Sequence, residues 1–244
     1  MIMSVVLVCG FSVLVGSFVQ GALGFGFGMV CMSIMPLVLE LKAAVAVVAV
    51  VGLLVNGGVL FQTRAHLDHR KYWPLLAGSF VGIPCGVTFL HLAPENLLTA
   101  VLGIIILAYV GWRMIGQVQF ESVPDQRWGV AAGIVGGALG GAFNTSGPPA
   151  VMYVSGRSWD PGAVKATMQI FFCLNSVVQL TLFGSTGLLT EEVLTYDLVL
   201  VPFVLLGVWV GGRFSNRFTS RIFEHLVLAG LGVLGVVFLF RSMG

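Results

Sequence analysis

The run Gly137-Ala-Leu-Gly-Gly-Ala-Phe-Asn-Thr-Ser-Gly-Pro-Pro149 lies inside an apolar stretch too long for one membrane span and too broken for one regular helix. Glycines, an adjacent proline pair and the polar triplet Asn144, Thr145 and Ser146 interrupt it. In lipid every backbone N–H and C=O must be satisfied internally, so irregular backbone survives at membrane depth only where protein or a water-filled cavity covers it. Residues 19–27 echo the run: Val19-Gln-Gly-Ala-Leu-Gly-Phe-Gly-Phe27 aligns without a gap on Val135-Gly-Gly-Ala-Leu-Gly-Gly-Ala-Phe143. Matched interruptions in the two halves of a chain are the mark of a transporter built from repeats, with its ligand held at the interruptions.

Composition sets the class. The chain is 57% hydrophobic and 9% charged, with a mean hydropathy of +1.01, where soluble domains carry about 25% charged residues. It reads as an all-α polytopic membrane protein. A net charge of +2 with no basic patch points away from nucleic acid. The N-terminus has neither a basic leader nor a small-residue cleavage site, so it reads as part of the first membrane element rather than as a signal peptide. Cys9, Cys31, Cys85 and Cys173 stand singly in apolar runs with no C-x-x-C, which suits small apolar packers and not metal or redox chemistry. No metal and no cofactor is expected.

Apolar segments run over 4–39, 43–62, 72–91, 96–116, 128–156, 163–184, 194–212 and 222–240. A membrane helix needs about 20 residues, so six of these are single spans. The other two, 4–39 and 128–156, hold the glycine-rich breaks. Each is either one broken crossing or a hairpin of two shorter helices that returns to its starting side. Beyond the breaks the duplication continues: Asn56 falls where Asn175 does, and 74–107 aligns without gaps on 203–236, pairing Gly78 with Gly207, Gly82 with Gly211 and Gly103 with Gly232. The chain thus divides into a first membrane repeat (1–116), a cytoplasmic linker (117–127) and a second membrane repeat (128–244).

Charge selects between the two topologies. If each long segment crosses once, the halves are parallel and the 12 Lys and Arg split evenly across the membrane. If each is a hairpin, the halves are inverted, and all 12 except Lys42 and Arg241 fall on the cytoplasmic side. The inverted arrangement follows, with a re-entrant hairpin plus three transmembrane helices in each repeat and both termini outside. Glu191, Glu192 and Asp197 then belong to an external loop region, and no charged residue lies deep in a span.

Ser or Thr before a helix with Pro in its first turn is a helix-start pattern. Asn144, Thr145, Ser146 and Gly147 therefore predict a half-helix that begins inside the membrane. Its free N–H groups and positive dipole end would favour an anion. Gln20 with Gly21, Gly24, Gly26 and Gly28 supplies the corresponding edge of the first repeat, where glycine lets backbone approach a ligand. Asn56 and Asn175, amides at matching places in apolar helices, complete the candidate site; Gln169 and Gln179 are left undecided. Lys165 and Arg157 flank the second break. The pattern indicates a carrier of small anions, with a passive anion channel as the alternative. No H-E-x-x-H or G-x-S-x-G motif and no His or Asp at span depth supports an enzyme.

At these residues the chain resembles the sulfite exporter TauE/SafE family, also called the toluenesulfonate uptake permease family. The shared features are the Q-G-x-x-G-F-G-x-G element from Gln20 to Gly28, the duplicated half, and the second break ending in Gly147-Pro148-Pro149. The resemblance covers nearly the whole chain. It implies a multi-pass carrier of the bacterial inner membrane for sulfite, sulfoacetate or other organosulfonates. It also raises proton coupling, for which this sequence offers no buried acid.

Overall fold

A computed structural model describes residues 2–115, 126–157, 159–214 and 221–242, and all of its regular structure is helical. Each half follows the same order. In the first, α1 (Ile2–Leu23) is followed by the short α2 (Phe27–Ile34), α3 (Leu41–Thr63), α4 (His69–Leu92) and α5 (Glu95–Ile115). In the second, α6 (Gln126–Phe143) is followed by the short α7 (Gly147–Ser155), α8 (Pro161–Thr186), α9 (Glu191–Phe214) and α10 (Arg221–Ser242). Among the described residues seven helices are long and apolar enough to cross a bilayer, namely α1, α3, α4, α5, α8, α9 and α10. The linker expected over 117–127 lies outside the described residues except for Gln126 and Arg127, which open α6; the loop base Arg217 lies outside them too.

Both long apolar segments are hairpins. The α2 helix runs back along α1: the Cys31 thiol donates to the Ser12 carbonyl at 3.6 Å, and Gly16 packs against Phe27 and Cys31. In the second half Gly140 packs on Ser146, Gly136 on Pro149 and Gly129 on Tyr153, so α7 returns along α6 in the same way. The single broken crossing is thereby excluded.

Side-chain-free surfaces lock the halves together. On α4, Gly78, Gly82 and Gly86 face the backbone of Val130, Ile134 and Ala138 on α6, and a Cβ on any of them would overlap a carbonyl oxygen. Gly133, Gly137 and Gly141 answer from α6 against Leu75, Ser79 and Ile83. The repeat-related pair does the same, with Gly207 and Gly211 of α9 on Leu14, Ser17 and Phe18 of α1. Numbering rises together along both members, so each pair is parallel. Close backbone approach of this kind replaces the hydrophobic drive that lipid cannot supply. Between α5 and α10 the order reverses: Gly103 meets Gly235 and Leu239, while Gly232 meets Val110. These two repeat mates therefore run antiparallel. The buried centre is α3 with α8, where Ala44, Val45, Val47, Val48, Val51 and Val55 are almost entirely enclosed.

Loop placement matters for topology. His66 lies against Gly162, and the Lys71 ammonium sits 5.5 Å from the Trp159 ring, so the basic 64–71 stretch and the start of α8 share one end of the molecule. At the other end Arg241 donates to the Pro36 carbonyl at 2.8 Å and Lys42 to the His91 carbonyl at 3.0 Å.

The glycine seams carry a testable consequence. Gly82→Ala adds a methyl against backbone that cannot rotate away, an overpacking that costs about 1–3 kcal/mol or more. Gly184→Ala, with nothing within 4 Å of its added Cβ, is the control. Thermal unfolding in detergent should fall by several degrees for Gly82→Ala and stay at the parental value for Gly184→Ala. Equal stability of the two would contradict the seam.

Candidate functional site

The first break is Gly24-Phe25-Gly26 and the second is Asn144-Thr145-Ser146. Each outer helix ends on the same hydrogen bond, Gly24 N–H to the Gln20 carbonyl and Asn144 N–H to the Gly140 carbonyl, both 2.8 Å. The next backbone is left-handed at both places, with φ of 85° at Gly24 and 56° at Asn144. Glycine enters that region freely, and Asn is among the few other residues that do. This geometry makes Asn144, not Gly140, the structural mate of Gly24. The gapless alignment of 19–27 with 135–143 is thus one helical turn out of register with the turn itself, because it follows the glycine packing of the outer helices.

The two tips meet. A Cβ on Gly28 would overlap the Asn144 carbonyl, and one on Gly147 would lie 3.8 Å from the Phe25 ring. Buried amides hold the loosened carbonyls. Gln169 donates to Gly24 at 2.6 Å, and Gln179 donates to Gly140 at 3.0 Å and to Gly141 at 3.3 Å. The Lys165 ammonium donates to the Gly21 carbonyl at 2.6 Å, so Lys165 braces the first break.

Between the tips lies a cavity of about 50 Å³, walled by both breaks and by the middles of α3 and α8. Gln20, Gly26 and Asn56 line it from the first half, and Asn144, Thr145, Ser146, Gly147 and Asn175 from the second. Gly21 and Gly24 do not; they pack behind it, Gly21 close to the backbone of Val208 and Gly212. Several of the liners are already committed. Gln20 donates to Asn56 Oδ1 at 2.7 Å and to Gln169 Oε1 at 3.1 Å, and its own Oε1 accepts the Phe27 N–H at 3.1 Å, capping α2. Asn144 Nδ2 donates to the Val45 carbonyl at 2.8 Å, and Thr145 Oγ1 to the Leu139 carbonyl at 3.3 Å.

Three liners are not committed. Neither the Ser146 nor the Ser176 hydroxyl makes a hydrogen bond among the described residues. Asn175 is 6% exposed, and neither its Nδ2 nor its Oδ1 has a partner among the described residues. A broken symmetry is the cause. Asn56 is held by Gln20, whereas the position equivalent to Gln20 is a glycine under either register, Gly136 or Gly140. A buried amide left unsatisfied costs about 1–3 kcal/mol, a penalty that a ligand offering an acceptor removes. The short helices α2 and α7 both begin at this wall. Of the first three residues of α7, Pro148 and Pro149 have no N–H, which leaves Gly147 as the donor there.

Sequence reasoning left out Phe27, Met29, Val48, Ile83 and Phe172, which close the cavity with apolar surface, and Ser176, which adds a hydroxyl. Ordinary apolar positions carry no signal that separates them from the rest of a membrane chain. Gln169 and Gln179 also belong to the site, as supports. The sequence reading also fails at Asp197. Expected in an external loop region, it sits in the second turn of α9, 5% exposed, with neither carboxylate oxygen partnered among the described residues. The helix starts at Glu191, earlier than the corresponding helix of the first half, where the aligned Asp68 caps α4 by accepting the Arg70 N–H and pairs with Lys71 at 3.8 Å. An acid therefore does lie inside a span.

The fold is that of a multi-pass membrane protein with a cavity enclosed between two hairpin tips. The family model described as Sulfite exporter TauE/SafE matches residues 8–238, and the chain belongs to that family. It is 29% identical over 231 residues to a protein of Cupriavidus necator named "Probable sulfite/organosulfonate exporter TauE", covering 89% of this chain and 88% of that one. No solved structure matches the chain.

Asp197 gives a sharp stability test. A buried carboxylate without a partner is expensive to keep charged, and the isosteric amide removes that penalty while keeping the shape. Asp197→Asn should therefore unfold at the parental temperature or above it. A fall of more than about 2 kcal/mol in stability would instead reveal an ionised group with a strong partner.

Proposed function

We propose that the chain is a secondary carrier of small sulfur-containing anions such as sulfite and organosulfonates, held at the cavity between the two hairpin tips. The observation that carries this reading is Asn175, a buried amide with donor and acceptor both unused, at a wall where two short helices begin. Size agrees with it. A water needs roughly 10–15 Å³ of such space, so about 50 Å³ suits a ligand of a few heavy atoms. The sulfur chemistry comes from the family and from the name of the Cupriavidus necator relative.

The same reading makes 1–116 and 128–244 inverted repeats in a bacterial inner membrane, joined by a cytoplasmic linker at 117–127. Three observations favour inversion: the hairpin form of both broken segments, the antiparallel meeting of α5 with α10, and the shared end of the 64–71 and 157–165 stretches. In a parallel arrangement those two stretches would lie on opposite faces. Inverted halves exchanging two conformations around a fixed central site give alternating access, and substrate counterflow in proteoliposomes separates such a carrier from a pore.

Binding and sidedness provide the tests. Asn175→Ala and Ser146→Ala each remove a donor to an anion, worth about 1.5–3 kcal/mol. The affinity for sulfite or a sulfonate should then fall roughly tenfold to a hundredfold, with insertion and monodispersity retained. Parental affinity in both variants would move the site elsewhere. For sidedness, Thr63→Cys and Phe214→Cys in a cysteine-free background should both resist an impermeant thiol reagent in intact cells, while Ser185→Cys should react. Labelling at Phe214→Cys but not at Thr63→Cys would restore the parallel arrangement.

A further inference from the structure

We infer that the cavity between the hairpin tips selects monoanions, hydrogensulfite or a monosulfonate, and rejects dianions of the same size. The inference rests on the proposed site and adds the charge state of its ligand. No Lys, Arg or His stands among the residues that wall the cavity. The cation that reaches the first break, Lys165, has its stem against Gly24 and its ammonium on the Gly21 carbonyl, behind that wall. Nor does the wall carry an acid or any other titratable side chain, so its charge complement does not change with pH. The helices that supply the wall carry titratable groups elsewhere along their length, among them Cys9 on α1, Cys31 on α2, Lys42 on α3, Cys85 on α4, Tyr153 on α7, and Lys165 and Cys173 on α8. None of these lines the cavity, and Lys42 is occupied by the His91 carbonyl.

What remains to balance a negative charge is the pair of helix N-termini. Each is equivalent to roughly half a positive charge, so α2 and α7 together supply about one. Phe27 and Gly28 bring the first terminus to the wall and Ser146 and Gly147 the second. The unpartnered Asn175 amide adds a neutral donor between them. The other polar liners are neutral, and Gln20, Asn56, Asn144, Thr145 and Gln179 are already hydrogen-bonded within the fold, while Val48, Ile83 and Phe172 add apolar surface. Taking an ion out of water costs an energy that rises with the square of its charge, several kcal/mol for a single charge even after relaxation. Doubling the charge multiplies that cost about fourfold but only doubles the attraction to fixed dipoles. A wall of neutral donors worth one charge thus holds a monoanion and loses against water for a dianion.

The test is equilibrium binding to the purified full chain in detergent, under anaerobic conditions, with methanesulfonate, sulfite and sulfate as probes. Methanesulfonate is a monoanion at every pH used and reports any change in the protein itself. Sulfite crosses from hydrogensulfite to the dianion within the range, and sulfate is a dianion throughout. Methanesulfonate affinity should stay flat with pH. Sulfite affinity should fall by roughly tenfold for each pH unit above its ionisation, following the loss of the monoanion. Sulfate should bind at least about a hundredfold more weakly than methanesulfonate. Sulfate binding within a few-fold of methanesulfonate, or sulfite affinity that holds or rises with pH, would overturn the inference. Asn175→Ala separates this failure from a misplaced site. If sulfate binds well and the variant weakens it, the site stands and the charge selection falls. If the variant leaves methanesulfonate affinity at the parental value, the site itself is elsewhere, and the inference falls with it.

Discussion

The structure depends on satisfying backbone that two helices abandon at membrane depth. Each hairpin turn frees carbonyls and N–H groups where no lipid can pair them. Buried side chains take them up: Gln169 on Gly24, Gln179 on Gly140 and Gly141, Lys165 on Gly21, and Gln20 on the Phe27 N–H. Three of these donors come from α8, so one helix of the second half fastens the tips of both hairpins. Asn144 ties its own tip to α3 through the Val45 carbonyl. The breaks can therefore stand open toward one another without being exposed to lipid, and the space between them becomes the cavity.

The duplication explains the scaffold and its failure explains the site. Glycine-on-backbone seams recur in both halves, α4 on α6 and α9 on α1, and they fix the outer helices at close approach. Against that shared frame the side chains at the centre differ. Gln20 closes one side by satisfying Asn56, and a glycine in its place leaves Asn175 open on the other. Equal halves would have satisfied both amides and left no wanting donor for a ligand. Asp197 is a second departure: its mate Asp68 caps a helix, whereas α9 begins earlier relative to that mate and carries Asp197 inside.

Much of this was legible in the chain itself. Segment boundaries, the paired breaks and the pairing of Asn56 with Asn175 follow from hydropathy, glycine spacing and internal alignment, because lipid permits few alternatives. Basic residues favoured hairpins over crossings, and the folded-back α2 and α7 agree. Other features were not readable. The sequence alignment of the breaks follows glycines that pack the outer helices, and it misses the turn by four residues because Asn144 can adopt the backbone that Gly24 adopts. That Asn144 and Thr145 spend their polar groups on the fold, while Ser146 and Asn175 keep theirs, depends on tertiary partners no local pattern reveals. Asp197 misled for a similar reason, since its place in a loop or a helix turns on where α9 begins.

The central claim is that the two tips meet and that transport runs between them. Phe25 Cβ and a Cβ placed on Gly147 lie 4.0 Å apart, within the 3.5–4.5 Å that a disulfide spans. The most direct measurement is counterflow of labelled sulfite in proteoliposomes holding Phe25→Cys/Gly147→Cys in a cysteine-free background, before oxidation, after it, and after reduction. The account predicts that mild oxidation forms the cross-link, that exchange drops to the protein-free background, and that reduction restores it. Failure of the pair to cross-link, or exchange at the full rate in fully cross-linked protein, would contradict it.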